Sequence, residues 1–206
     1  LNRLWKGLGE APVIYDQGQV ERSKSSIESK LNNMGYFDSK VESELHLKGQ
    51  NAQVTYYITL GARYQIDTII YRLPEMRKDF AEDFYADIPK SLIKAGDYLS
   101  EQSLTAEVDR SMASLREKGY FALNRTCYNF VADTLAMDGK VALEYVISED
   151  EQPLKKVKIS DVRITYPQNL NVRESVLEGV NLIEPGQPYK ESTVSDTYSR
   201  FSSLKI

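Results

Sequence analysis

The sequence predicts an α+β chain of tandem small units, each a small three-stranded mixed sheet with two helices on one face. Three observations carry this. The tripeptide Gly-Tyr-Phe occurs at Gly35, Tyr36 and Phe37 and again at Gly119, Tyr120 and Phe121. Each copy closes a run with helical apolar spacing, and two strand-like runs follow each. A third stretch, "EPGQPYKESTVSDTYSRF", parallels "KAGDYLSEQSLTAEVDRS" without reaching a third copy of the tripeptide. Fixed-period similarity of this kind marks a repeat architecture.

The first unit is assigned to residues 1–61. Its lead-in, "LNRLWKGLGEAPVIYD", holds a short apolar helix candidate with Trp5 as a packing anchor, broken by Gly7, Gly9 and Pro12. Its opening strand is unclear. Ile27, Leu31 and Met34 then define a helix face. Gly35 suits the left-handed residue after a helix end. Val41, Ser43, Leu45 and Leu47 alternate, as do Val54, Tyr56 and Ile58 across the turn "KGQN", so a hairpin follows.

The second unit, 62–150, is complete. "RYQIDTIIYRL" is rich in β-branched and aromatic residues and reads as a strand. A helix carries Phe80 and Phe84, and its acidic residues Glu82, Asp83 and Asp87 are expected on the solvated side. A second helix, capped by Ser100, presents Leu104, Val108, Met112 and Leu115 and stops at Gly119. Strands are expected at 125–132 and 140–148, joined through Asp138-Gly139. The run 140–148 is apolar on both faces and should be the central strand, parallel to 64–72 and antiparallel to 125–132. That leaves Arg125, Thr126, Cys127, Tyr128, Asn129 and Phe130 on an open edge, where an extended client could add as a further strand. A solvated or covered edge is the alternative. The matching edge of the first unit is 39–47.

The acidic "SEDEQP" reads as a solvated linker, so the third unit, 151–206, should move freely on the second, whereas the short "TLGARY" junction should dock the first two. The third unit has a strand candidate in "KKVKISDVRITYP" and helices near 171–180 and beyond 190, but no closing hairpin, and is truncated in this sequence.

The order strand, helix, helix, Gly-Tyr-Phe, strand, strand resembles the polypeptide-transport-associated (POTRA) domain. The likeness rests on "IESKLNNMGYFDSKV", on "VDRSMASLREKGYFALNRTCYNF", and on the spacing from "YYITLG" to "ARYQIDTI". Arrays of such units resemble the periplasmic arm of the BamA/TamA superfamily of outer-membrane barrel proteins. "GLGEAPVIYD" is similar to the start of the TamA-like lipoprotein branch (TamL) of Bacteroidetes. The resemblance implies a non-catalytic scaffold on the periplasmic side of the outer membrane. It would bind unfolded outer-membrane protein segments or periplasmic partner subunits and precede a C-terminal membrane barrel. The lipid-bearing Cys of that branch has no counterpart here, and the resemblance implies an excised soluble arm.

Composition narrows the function classes. The 206 residues are 27% charged and 41% hydrophobic, with a net charge of −4, which fits a globular protein. No basic stripe suggests nucleic acid as a partner. One histidine, His46, and one cysteine, Cys127, supply too few ligands for a zinc site. His46 should face solvent, and Cys127 reads as a buried thiol. No phosphate-binding Gly-rich loop is present, so no catalytic residue, metal or cofactor is expected. The competing class is a carbohydrate or small-ligand module built on exposed members of the 14 tyrosines, which would require a Tyr-lined cleft.

Overall fold

A computed structural model describes residues 15–133, 139–166 and 173–204. The chain divides into two compact units, Leu1–Arg63 and Tyr64–Ile206. The lead-in helix candidate and Trp5 lie outside the described residues.

In the first unit, α1 spans Gln17–Asn33. Asp16 caps it, its carboxylate accepting from the Gly18 N–H at 2.8 Å. At its end Gly35 takes φ 89°. The Gly35 N–H then bonds to Asn32 O (2.8 Å) and the Tyr36 N–H to Leu31 O (2.9 Å), a Schellman closure. Strands β1 (Lys40–Lys48) and β2 (Asn51–Thr59) pair antiparallel. Their register sets Val41 opposite Ile58, Leu45 opposite Val54 and Leu47 opposite Ala52. The other face is polar, and there His46 sits exposed, 3.4 Å from Glu44, as its alternation predicts. Glu28 ties helix to sheet by accepting from the Val41 N–H at 3.0 Å.

The second unit holds the complete motif. Strand β3 (Gln65–Arg72) leads through helices α2 (Lys78–Asp87) and α3 (Glu101–Glu117) to β4 (Tyr128–Asp133) and β5 (Lys140–Ile147). The sheet order is β3-β5-β4, with β5 parallel to β3 and antiparallel to β4. The apolar run at 140–147 is central because only there are both edges paired, and Val141, Leu143, Tyr145 and Ile147 all point into the core. Helix α2 brings Phe80 against Tyr120 (ring centroids 5.0 Å apart) and Phe84 against Tyr145 (5.6 Å). Leu115 of α3 is fully buried on the same core.

Residues 151–206 carry α4 (Glu174–Val180) and α5 (Glu191–Ser203). They repeat a detail of the middle motif. The Ile66 N–H bonds to Asp97 O and the Gly96 N–H to Ile66 O; the Ile159 N–H bonds to Gln187 O and the Gly186 N–H to Ile159 O. The strand expected in 155–166 is reduced to an isolated bridge, Lys158 to Pro188. Its counterpart β3 is held by β5, and 155–166 has no such neighbour among the described residues.

Two expectations need correction. Of the acidic residues of α2 expected on the solvated side, Glu82 is exposed, but Asp83 and Asp87 are not. Phe80, Phe84 and Asp87 share one face by their i, i+4, i+7 spacing, and Asp87 is 3% exposed, bound by Arg110 Nη1 at 2.6 Å. Asp83 is half-buried and accepts from Tyr120 Oη (2.8 Å) and Lys156 Nζ (2.7 Å). Nor is the 148–156 junction a free hinge. Leu154 is fully buried, Glu149 pairs with Arg77, and the Val157 N–H bonds to Gly119 O at 3.0 Å. Of the acidic residues read as solvation, Glu149 is matched by Arg77 and Asp150 accepts from Thr126 Oγ1, while Glu151 is exposed.

Candidate polypeptide-binding edge

The sheet of the second unit has two edges. The start of β3 is covered: the Leu99 N–H bonds to Tyr64 O, and Gln65 bridges to Tyr98. The outer side of β4 has no neighbouring strand among the described residues.

Of the six residues expected on this edge, Tyr128, Asn129 and Phe130 lie on β4, whereas Arg125, Thr126 and Cys127 form a 3-10 turn before it. Asn124 causes this. Its side chain accepts from the Thr126 N–H at 2.8 Å, and its carbonyl accepts from the Cys127 N–H. Cys127 is buried, as expected, and Arg125 reaches out to Asp109 at 2.7 Å.

The direction of each backbone group follows from one bond. The Ser148 N–H donates to Cys127 O at 2.9 Å, so these facing residues form a hydrogen-bonded pair. Alternation along the antiparallel ladder then turns Asn129 and Val131 toward β5. The N–H and C=O groups of Phe130 and Ala132 point away from the sheet. Tyr128 also points outward, but its N–H is taken by Arg125 O. The usable outer edge is therefore centred on Phe130 and Ala132.

Side chains make the strand firm. Phe130 packs on Tyr145 with centroids 4.7 Å apart, and Tyr128 Oη donates to Ser111 Oγ at 3.2 Å. Burial pushes the Tyr128 phenol well above its usual range, so it stays neutral. Asn129 and Val131 lie on the opposite, exposed face. Underneath, Glu107 is fully buried and bound by Arg110 (Nη2 to Oε1, 2.7 Å) and by the Leu92 N–H (2.8 Å). This Asp87–Arg110–Glu107 cluster was not anticipated. Its signal was present, since Leu104, Glu107, Ser111 and Leu115 fall on one helical stripe.

The Gly-Tyr-Phe copies hold related backbone geometry and different side-chain surroundings. Gly119 has φ 109° and closes α3 as Gly35 closes α1. Tyr120 is fully buried, as a core-covering aromatic should be. Phe121 differs from Tyr120: it is 49% exposed and rests edge-on against Tyr189 at 5.1 Å. In the first unit Tyr36 and Phe37 are both half-buried. The Arg63 guanidinium lies 4.9 Å over the Tyr36 ring, and the Phe37 N–H bonds to Ala62 O.

The edge offers backbone donors and acceptors. Among the described residues no group of three or more potential metal ligands occurs. No described helix is long and apolar enough to cross a membrane. The first unit has an open cleft of about 860 Å³ between the start of α1 and the hairpin tip, lined in part by Tyr15, Tyr56, Leu47, Gln50 and Asn51.

The fold is similar to that of known proteins. Residues 7–61 match the POTRA family model, described as a surface antigen variable number repeat. The crystal structure of POTRA domains 3–5 of BamA from Haemophilus influenzae superposes with a TM-score of 0.53 at 18% identity, covering 91% of this chain and 70% of that one. The chain has the POTRA fold. BamA from Haemophilus ducreyi lacking POTRA domains 1–3 also aligns (TM-score 0.43, 16% identity, 69% of this chain and 25% of that chain). So do POTRA domains 1–3 of Omp85 from Anabaena (TM-score 0.31, 15% identity, 92% of this chain and 72% of that one). No curated protein matches the sequence. The POTRA motif is most complete in β3–α2–α3–β4–β5, and its sheet there ends on β4.

Proposed function

We propose that this chain is the periplasmic arm of an outer-membrane barrel protein of the BamA/TamA superfamily. It is a non-catalytic scaffold that takes extended polypeptide as an added strand along β4. The open outer side of β4, with Phe130 and Ala132 directed outward, is the observation that carries the reading. Main-chain pairing suits a scaffold that receives many clients, because its bonds depend little on client sequence. The POTRA fold supports the setting, and "GLGEAPVIYD" favours the TamL branch within it. Clients are unfolded outer-membrane protein segments or stretches of periplasmic partner subunits, and a membrane barrel completes the full-length protein.

The experiment is a proline at the edge. Asn129→Pro would remove an inward ladder bond, and Tyr128→Pro one already taken within the turn. Ala132→Pro removes an outward donor, and an edge strand tolerates that change. A photo-crosslinker at Val131, 48% exposed, reports peptide capture. The yield with extended outer-membrane strand peptides should fall several-fold in a folded Ala132→Pro variant. An unchanged yield contradicts strand addition at this edge.

A second reading is a saccharide in the cleft of the first unit, where Tyr15 and Tyr56 offer ring faces and Gln50 and Asn51 offer amides. It predicts that Tyr56→Ala abolishes glycan binding and leaves peptide capture unchanged.

A further inference from the structure

Arg116 lies in the last turn of α3, where the entry to the edge strand meets residues 151–206. Its Nη1 donates to Phe121 O (2.9 Å) and Leu123 O (3.0 Å), the loop that runs into the Asn124-capped turn and β4. Its Nε donates to Glu191 Oε2 (2.7 Å) and its Nη2 to Tyr189 Oη (2.8 Å). One planar guanidinium thus spends two donors on the loop and two on the following segment. Burial works against the Arg116 charge, but its bonds to Glu191 and Tyr189 outweigh it and raise the pKa. The rings of Phe121 and Tyr189 lie 5.6 and 5.7 Å from its centre.

Two other contacts follow the same plan. Glu117, the next residue, accepts from the Ser192 N–H (2.9 Å) and Oγ (2.8 Å). Thr126, inside the turn that starts β4, bonds through Oγ1 to Asp150 Oδ2 at 2.7 Å. The stretch 121–127 is therefore held by α3 on one side and by the 148–156 junction on the other.

We propose that docking of residues 151–206 and presentation of the β4 edge are coupled through Arg116. With Glu191 and Tyr189 in place, the guanidinium is fixed in the plane that serves Phe121 O and Leu123 O. When they leave, it loses its counter-ion and that orientation, and the loop feeding β4 loosens. Coupling free energy is reciprocal, so a strand added on β4 must in turn favour the docked state. This last consequence rests on the strand-addition reading; the coupling itself does not.

The test changes only the far side of the contact. Glu191→Gln, alone and with Tyr189→Phe, leaves Arg116 and the loop residues intact. Spin labels at Met76 and Tyr198, both strongly exposed, report docking, and amide hydrogen exchange reports the edge. The distance distribution should broaden. Exchange over 121–133 should accelerate about tenfold or more, the factor that accompanies loss of a charge-assisted hydrogen bond, while Ile66 and Val141 stay protected. A broadened distribution with unchanged exchange over 121–133 overturns the coupling. So does an unbroadened distribution in the double variant. If the parent protein captures no peptide, the strand-addition reading fails while the exchange result still decides the coupling.

Discussion

Asp83 Oδ2 lies 2.7 Å from Lys156 Nζ, and the same oxygen accepts from Tyr120 Oη at 2.8 Å. One carboxylate on α2 thereby binds both the Gly-Tyr-Phe corner and the chain leaving the middle motif. Burial alone would raise the Asp83 pKa, but the bonds from Lys156 and Tyr120 and the nearby Lys118 charge hold it below its usual value. Asp87 and Glu191 are lowered in the same way, burial being outweighed by arginine and its neighbours.

A carboxylate with a depressed folded-state pKa binds fewer protons than its unfolded counterpart. Its contribution is complete above the unfolded pKa, about 4, and is lost as pH falls through the folded value. Denaturant midpoints of residues 64–206 should therefore fall between about pH 5 and pH 2. Asp83→Asn should flatten part of that profile. A pH-independent midpoint in the parent would contradict the assignment.

Arg110 stands between two buried carboxylates, Asp87 and Glu107. Arg110→Met leaves both without their main counter-ion and should cost about 3–5 kcal/mol. Glu107→Gln, which keeps the Asp87 pair, should cost less. Urea unfolding monitored by circular dichroism separates the two, and equal losses would mean that the cluster does not act as a charge network.

Leu115 is fully buried, so Leu115→Ala should destabilise the second unit by about 2–5 kcal/mol. Met76, 89% exposed, is the control, with Met76→Ala expected within about 0.5 kcal/mol of the parent. A Leu115→Ala variant that melts with the parent would remove α3 from the core.

Gly61 approaches the Phe37 carbonyl so closely that a Cβ would stand 1.6 Å from its oxygen. That partner is backbone and cannot swing away, so Gly61→Ala should destabilise the first unit by more than the ~1–3 kcal/mol typical of overpacking. Gly179, within α4, has open space around it, and Gly179→Ala should be neutral or stabilising by up to about 1 kcal/mol. Thermal melts of the two variants decide this.

The parts of the fold set by local chemistry were readable in the sequence. Gly35 and Gly119 end helices in a left-handed conformation, and the two-faced apolar run at 140–147 takes the centre of its sheet. What escaped depends on partners distant along the chain. Glu149 read as a solvating charge because Arg77, which pairs with it, lies 72 residues earlier. Asp87 was misread for a different reason: its i, i+4, i+7 relation to Phe80 and Phe84 places it inward, but an acidic residue on that face is interpretable only once Arg110 is known to reach it. The edge strand began three residues late because Asn124 captured the turn. Local side-chain capping of this sort competes with strand pairing.

Strand addition on β4 through Phe130 and Ala132 is tested most directly by backbone amide exchange resolved by residue. In the free protein Asn129 and Val131 should be protected by β5, and Phe130 and Ala132 should exchange quickly. With a saturating extended client peptide, new protection should appear at Phe130 and Ala132, with little change at Asn129 and Val131. Peptide binding that leaves Phe130 and Ala132 exchanging as fast as before would contradict it.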